Sequence, residues 1–360
     1  MATCSRRWFC GGLAGGLILE RALAAPFVPV RDPQVVAIAP AGTMVATGCS
    51  GLSDGNFPPR PHPNVRKSAV VALWDVASRK RMARFETFGD FRKLAFSPDG
   101  KLVAACRLFA TPEGVELDEV RIWDLTTLQL VHALDRCHAF DFSPDGRQVV
   151  VLSRSRCVVY RVTDWSKQAE VKPLGGGLAV AYSADGQSLI GIVSTTSGYC
   201  LRKCSPSSSS QVADALVLPQ PFYTLAVSAD GLRLATGHEA GQLIVWETDG
   251  LHVQLRLRTG LRGIAHPFFS PDGQTLAAGC QETGDVAMWS LVSRQELARY
   301  TFGQGAFRPH YLREGDVVIR PELDPTRFCF SPDGGAFLAG CYGGILRAAR
   351  GGQELARFGE

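Results

Sequence analysis

A serine near position 53 has the flanking spacing of a hydrolase nucleophile. Gly51, Ser53 and Gly55 form the pattern Gly-x-Ser-x-Gly, which in hydrolases makes a strained turn between a strand and a helix. An apolar run typical of a strand precedes Ser53 here, but prolines follow it at positions 58, 59, 61 and 63. Proline lacks a backbone donor and clashes inside a helix, so these residues exclude the helix. We therefore expect no catalytic residue in this segment.

Histidine and cysteine could supply metal chemistry, since imidazole and thiolate groups bind zinc and softer metals. His132 and His138 flank Cys137, while three residues separate Cys200 from Cys204. Neither set has the spacing of a zinc finger or a redox pair, and no glycine loop of the phosphate-binding type is present. We expect buried or solvent-facing histidines, small inert thiols, and neither a metal nor a cofactor.

Charge and composition limit the class of protein. The 360 residues carry a net charge of +4, with 46% hydrophobic and 20% charged residues. Proteins that bind nucleic acids normally show a concentrated basic face, so this balance predicts no nucleic-acid partner. The eleven cysteines are an odd number in a long chain and do not indicate a disulfide framework.

The N-terminus has the features of an export signal. A Ser-Arg-Arg element at Ser5 precedes a glycine-diluted apolar run over residues 11–19, and an Ala-x-Ala cleavage pattern ends at Ala24. The arginine pair resembles a twin-arginine signal, and the run is too short for a membrane-spanning helix of about 20 residues. We predict a signal peptide over 1–24, a linker over 25–33, and export to the periplasm or cell envelope. The alternative is a cytoplasmic protein with an apolar start.

A strand–turn–strand signature occurs seven times in the rest of the chain. Its most regular form is an aromatic residue followed by Ser-Pro-Asp-Gly, as at residues 96–100. Proline sets the backbone angle of the turn, and Asp-Gly accepts the left-handed conformations that a tight reversal needs. Alternating apolar residues on both sides predict two antiparallel strands. The closing glycines are Gly42, Gly100, Gly146, Gly186, Gly231, Gly273 and Gly334.

Two further strands follow each turn. The third strand often ends in tryptophan and a polar residue, at Trp74, Trp123, Trp246 and Trp289. A fourth strand repeats Ala-Arg-aromatic, for example at residues 83–85. The turn glycines are 40 to 61 residues apart, which matches a four-stranded unit. The sequence therefore predicts an all-β protein.

Seven such units over residues 34–358 resemble the blades of WD-repeat proteins, in the bacterial type with Ser-Pro-Asp-Gly turns. The resemblance implies a seven-bladed β-propeller of four-stranded antiparallel blades. The sequence departs from the family at the tryptophan position of blades 3, 4 and 7, where Tyr160, Arg202 and Arg347 stand.

Closing the ring requires an outer strand for the last blade. Residues 353–358 copy the outer strand at 295–300, so we favour a C-terminal closing strand. The alternative is an N-terminal strand over residues 27–30.

Three insertions break the regularity of the repeat. From the turn glycine to the tryptophan position, blades 3, 5 and 6 span 14 to 16 residues, whereas blade 2 spans 23 and blade 1 spans 32. A third insertion, over residues 303–325, precedes blade 7. Successive connections of an antiparallel meander alternate between the two ends of a blade, so all three insertions are expected on one face. In a closed ring they form one ridge across blades 7, 1 and 2.

This ridge is the predicted partner-binding surface, because loops on a rigid scaffold commonly carry function. The blade 1 insertion is proline-rich, which favours an extended conformation that loses little entropy on binding. Aromatic and arginine side chains are the usual anchors of protein interfaces. The alternative is that these loops are solvated and bind nothing. The predicted partner-binding residues are Phe57, Arg60, His62, Phe109, Phe307, Arg308, His310, Tyr311 and Arg313.

The resemblance implies a non-catalytic scaffold that binds a protein partner or serves as a subunit of an assembly. We expect the propeller itself to be monomeric. Fold alone does not establish that role. The alternative is a propeller enzyme, such as a lactonase or another hydrolase, with its site at the mouth of the central channel. Three or more convergent Asp, Glu, His or Asn side chains at that mouth would favour the enzyme.

Overall fold

The computed structural model describes most of the predicted propeller. The predicted signal peptide (1–24), the linker (25–33), Ser53 and the insertion at 303–325 lie outside the described residues. The described ranges are 35–52, 68–110, 116–207, 211–214, 222–261, 263, 265–280, 285–300, 328–339, 345–349 and 354–357.

The strands of these ranges form seven four-stranded antiparallel sheets, and within each sheet the strands pair in chain order. The first two sheets contain β1 (Val35–Ile38), β2 (Met44–Leu52), β3 (Ser68–Asp75), β4 (Arg81–Phe88), β5 (Asp90–Phe96), β6 (Leu102–Ala110), β7 (Glu116–Asp124) and β8 (Gln129–Asp135). The next two contain β9 (Cys137–Phe142), β10 (Gln148–Ser153), β11 (Cys157–Arg161), β12 (Lys167–Glu170), β13 (Ala179–Tyr182), β14 (Leu189–Thr195), β15 (Gly198–Cys204) and β16 (Gln211–Asp214). The last three contain β17 (Phe222–Val227), β18 (Arg233–His238), β19 (Gln242–Glu247), β20 (Val253–Arg258), β21 (Ala265–Phe269), β22 (Thr275–Cys280), β23 (Val286–Ser290), β24 (Glu296–Tyr300), β25 (Phe328–Phe330), β26 (Ala336–Ala339), β27 (Ile345–Ala348) and β28 (Glu354–Arg357).

Helical structure is limited to short connections. Two 3₁₀ helices, Lys172–Leu174 and Glu239–Gly241, have three residues each. Within the described ranges, no helix has the length and apolar character that crossing a membrane requires. The described fold is therefore all-β, as the sequence predicts.

The serine and aspartate of the repeated signature hold the turn between the first and second strands. In the second sheet, Ser97 Oγ donates to Asp99 Oδ1 at 2.6 Å and accepts from the Leu102 amide at 2.9 Å. Gly100 has a φ of +69°, a conformation that favours glycine. The same pair of hydrogen bonds recurs at Ser143, Ser183, Ser228, Ser270 and Ser331.

A β-bulge marks the tryptophan position of each sheet, because the register of the third and fourth strands shifts just before it. Tyr160 and Arg347 occupy that position, as predicted. The prediction for the fourth sheet is wrong, since Cys204 and not Arg202 follows the bulge and pairs with Leu189. The hairpin of β14 and β15 is longer than those of blades 3, 5 and 6, so counting from the turn glycine stops two residues short.

The hydrophobic core is divided among the spaces between neighbouring sheets. Seven clusters of buried apolar side chains are found among the described residues, and each draws on two adjacent sheets. Ile192 of the fourth sheet, for example, packs with Phe222 and Trp246 of the fifth. The last cluster joins Leu338 of the seventh sheet to Val36 of the first, which closes the ring. The chain is a β-propeller with four-stranded antiparallel blades.

The C-terminal strand completes the seventh sheet. β28 pairs with β27 in antiparallel register, which confirms the predicted closing strand. Arg79, in the turn between β3 and β4, donates through Nη2 to the Leu355 carbonyl at 2.8 Å, a further contact between the last blade and the first. The alternative closing strand at 27–30 lies outside the described residues.

Candidate protein-binding face

One face of the ring carries the connections between second and third strands and those between successive sheets. We call it the insertion face. On it, β2, β6 and β7 have nine residues each, whereas β10, β18 and β22 have six. At about 3.3 Å per residue, the hairpins of the first two sheets extend farther on this face than those of the third, fifth and sixth.

A buried arginine fixes the extended hairpin of the second sheet. The Arg107 side chain is fully buried and forms an ion pair with Glu119, its neighbour on β7. Its Nη1 donates to the Phe88 carbonyl at 2.5 Å. The guanidinium carbon lies 3.9 Å from the ring centroid of Phe88 and 4.7 Å from that of Phe109. Charge-assisted hydrogen bonds and cation–π contacts depend on geometry, so they hold the hairpin in one position.

Phe109 is the one predicted partner-binding residue within the described ranges. Its ring is partly exposed near the end of β6 and meets Phe88 edge-on, with centroids 4.9 Å apart. Phe109 is therefore an ordered aromatic side chain on the insertion face. The other predicted residues lie outside the described ranges: Phe57, Arg60, His62, Phe307, Arg308, His310, Tyr311 and Arg313.

The charged groups behind Phe109 were not predicted from the sequence. Arg121 Nε also reaches Glu119 Oε2 at 3.2 Å, and Arg92 Nη2 lies 3.3 Å from Asp118 Oδ1. Both carboxylates are 6% exposed, and burial of a charge is costly unless it is paired. The sequence feature that could have indicated these buried charges is the run of charged residues at positions 118, 119 and 121. It places charges on both sides of a predicted strand next to an insertion.

The first strands of the sheets contact one another around the ring and so surround its centre. Lys93 Nζ lies 3.6 Å from Asp141 Oδ1 there and donates to the Phe140 carbonyl at 2.9 Å. Asp141 Oδ2 accepts from the Tyr182 amide at 2.9 Å, so these contacts link three successive blades. The partly exposed residues at the position of Asp141 in other sheets are Ala95, Ala181, Ala226, Phe268 and Cys329.

The histidines considered for metal binding have other partners. His138 Nε2 lies 3.0 Å from the Gly177 carbonyl oxygen, and His132 stacks on Trp165 with ring centroids 4.5 Å apart. Burial lowers the pKa of both imidazoles and raises the pKa of the Cys137 thiol to about 12. Within the described ranges, no three His, Cys, Asp or Glu side chains are placed to hold a metal ion. The cysteines described as free thiols are Cys49, Cys106, Cys137, Cys157, Cys200, Cys204 and Cys329.

Comparison with known proteins supports the architecture. No family model matches the chain, and no curated protein matches its sequence. Among solved structures, a chain of Kuenenia stuttgartiensis hydrazine synthase is similar, with a TM-score of 0.65 and 17% sequence identity. The similarity covers 94% of this chain and 99% of that one. At this identity it shows the propeller fold alone.

Proposed function

We propose that this chain is a non-catalytic scaffold, a seven-bladed WD-repeat propeller that binds a protein partner through the insertion face across blades 7, 1 and 2. The observation that carries the proposal is the hairpin of β6 and β7, in which the buried Arg107 holds Phe109 partly exposed. An interface anchor loses less entropy on binding when it is already ordered. The blade fold does not require the extension of this hairpin or its buried ion pair. Because they are not needed for folding, they favour a role in binding.

The assignment to the WD-repeat type is supported by contacts at the tryptophan position. Trp74 Nε1 donates to Thr47 Oγ1 at 3.0 Å, and Trp246 Nε1 donates to Thr236 Oγ1 at 2.9 Å. In both blades the third-strand tryptophan thus bonds a threonine of the second strand. Together with the recurring turn and bulge, this shared contact favours descent from one repeated unit.

The alternative is a propeller enzyme with a site at the channel mouth. The similar solved structure is named as an enzyme, hydrazine synthase, but the likeness extends only to the fold. On the described first strands, the partly exposed Asp141 is already paired with Lys93 and with the Tyr182 amide. An acid held by such partners is better suited to joining blades than to proton transfer, and this favours the scaffold.

Affinity capture from an extract of the native cells tests the scaffold. Wild-type protein is compared with Phe109→Ala and with a deletion of residues 57–65, and the bound proteins are identified by mass spectrometry. We expect both variants to fold and to lose a protein that the wild type retains. Truncation of an interface anchor costs roughly 1–4 kcal/mol, which corresponds to about a fivefold to several-hundredfold loss of affinity.

Tyr199→Ala is the matched control. Tyr199 is a partly exposed aromatic residue on the corresponding hairpin of the fourth sheet, where no insertion is predicted. We expect this variant to capture the same proteins as the wild type. Identical protein lists for all four forms would exclude the proposed surface.

A further inference from the structure

A groove with a volume of about 790 Å³ lies between the second and third sheets and opens beside the extended hairpin. Leu117 and Asp118 of β7 line one side of it. The turn between β10 and β11, residues 154–156, lines the other. That turn joins a second strand to a third, and Arg136, which also lines the groove, joins two sheets. The groove therefore opens on the insertion face, and Tyr160 of β11 and Lys167 of β12 extend it toward the opposite face.

The floor of this groove is apolar. Val151, Val158 and Cys137 line it and are buried. Leu117 and Tyr160 are partly exposed and extend this surface toward solvent. An occupant that reaches the floor must therefore present apolar atoms to it.

The rim of the groove is basic. Arg136, Arg154 and Arg156 are exposed at its edge. Among the described residues, no carboxylate forms an ion pair with any of these three guanidinium groups. Elsewhere on the surface, comparable side chains are paired, such as Arg161 with Asp164 at 3.1 Å. The rim thus holds three guanidinium groups without a salt bridge among the described residues, although Arg156 is close enough to Glu170 to interact with it electrostatically.

The other charged groups of the groove leave a positive balance. Lys167 Nζ lies 2.6 Å from Glu170 Oε2, and Arg92 Nη2 lies 3.3 Å from Asp118 Oδ1, so both lining residues are already in ion pairs. Asp135 is the remaining carboxylate on the lining, and it is exposed. Three guanidinium groups therefore face one carboxylate that has no ion pair among the described residues.

We propose that this groove binds an acidic peptide segment that carries interspersed apolar residues. The inference rests on the proposed function of the insertion face and deepens it by naming the chemistry of the partner. Guanidinium groups bind carboxylates through two parallel hydrogen bonds, and this geometry gives specificity as well as affinity. Leucine or valine side chains of the same segment bury apolar area against Val151 and Val158.

A peptide fits the groove better than a nucleic acid does. Nucleic-acid sites depend on long basic surfaces and open aromatic platforms, whereas this lining has one tyrosine and the whole chain carries a net charge of +4. Carboxylates spaced by apolar residues match both the rim and the floor.

The test measures binding of two synthetic peptides to the full chain by fluorescence anisotropy. One peptide repeats Glu-Glu-Leu and the other repeats Lys-Lys-Leu, with equal length and blocked termini. We expect the acidic peptide to bind more tightly, and its affinity to fall as salt is raised, because exposed ion pairs are screened. The variant R136Q/R154Q/R156Q should bind the acidic peptide roughly tenfold more weakly, since each exposed pair contributes modestly.

A matched control removes three exposed charges from turns on the opposite face, as K101Q/R147Q/R294Q. Arg294 and Arg136 share a φ of +58°, so the two triple variants carry the same backbone strain. We expect the control to bind as the wild type does. The double variant R154Q/R156Q leaves the Arg136 turn intact and should show an intermediate loss.

Three results would each overturn the acidic-peptide site. They are equal affinity of the rim variants and the wild type, an equal loss in the control, and tighter binding of a single-stranded oligonucleotide than of the acidic peptide. No cellular partner enters this measurement. A negative result therefore rejects the groove as an acidic-peptide site. It does not bear on the scaffold proposal, which the affinity-capture experiment tests separately.

Discussion

His238 lies at the end of a buried row of hydrogen bonds in the fifth sheet. Trp246 Nε1 donates to Thr236 Oγ1 at 2.9 Å, and Thr236 Oγ1 lies 3.0 Å from His238 Nε2. The hydroxyl has a single proton, so the row is complete when it donates that proton to a neutral imidazole. The Phe222 ring packs on the imidazole ring of His238, with ring centroids 5.0 Å apart. Burial, helped by the nearby Arg256, lowers the pKa of His238 to about 4.

This histidine should make the fold less stable in acid. In the unfolded chain the imidazole takes up a proton near pH 6.5, whereas in the folded state it does so only near pH 4. Stability is therefore unaffected by His238 above about pH 6.5 and falls between the two values, by about 3 kcal/mol in total. Urea unfolding at about pH 7 and about pH 4.5 measures the loss. We expect His238→Gln, which cannot titrate, to show a smaller loss.

His252→Gln is the control, because His252 is exposed. It should keep the wild-type pH dependence. Burial also lowers the pKa of His132 and His138, so His238→Gln reduces the acid sensitivity without abolishing it. An unchanged difference between the two pH values in His238→Gln would contradict the assignment.

At the scale of the element, the turn of the first sheet differs from the other six. Ala39 and Ala41 stand where the other turns have serine and aspartate. The backbone turn still forms, since the Gly42 amide donates to the Ala39 carbonyl at 2.8 Å. The backbone thus makes the turn, and the side chains of the signature reinforce it elsewhere.

Restoring the signature should stabilise the first blade. The double variant A39S/A41D supplies the hydroxyl and the carboxylate that bond each other and the second strand in the other sheets. We expect the free energy of unfolding to rise by about 1 kcal/mol, the usual net value of an intramolecular hydrogen bond. Chemical denaturation measures it.

The single variants are the controls for this turn. Ala39 is 2% exposed, so A39S alone buries a hydroxyl without its aspartate partner and should not stabilise the protein. A41D alone adds a carboxylate without the serine donor. A double variant no more stable than either single variant would show that the first turn does not accept the shared geometry.

The sequence predicts repeated elements better than it predicts their unequal parts. The turn, the third-strand tryptophan position and the outer strand recur in the sequence, so each copy supports the others, and the closing strand at residues 354–357 follows from its likeness to an earlier one. The predicted tryptophan position of the fourth sheet, Arg202, was wrong because the hairpin ending at Cys204 is longer than its neighbours. Counting residues transfers a position between blades only where the hairpins have equal length.

At the scale of the whole molecule, contacts between blades cannot be predicted from local sequence patterns. Arg107 pairs with Glu119 inside its own hairpin, but its bond to the Phe88 carbonyl crosses to the first sheet, and no local pattern in the sequence indicates that bond. The groove requires Leu117 of one sheet and Val151 of the next to face the same space, which depends on how two twisted sheets pack. A net charge of +4 gives no indication that three arginines without an ion pair among the described residues lie together at one edge.

Ring closure also belongs to the whole molecule, and it can be tested by truncation. Removing residues 354–360 leaves the seventh sheet without β28 and removes the carbonyl that Arg79 bonds. We expect the midpoint of thermal unfolding to fall by a few degrees, since a loss of about 1–2 kcal/mol shifts a domain of roughly 300 residues by about 1–3 °C. Removing residues 358–360 alone leaves β28 in place and should have little effect. If the longer truncation is as stable as the full chain, the closing strand comes from elsewhere, and residues 27–30 become its source.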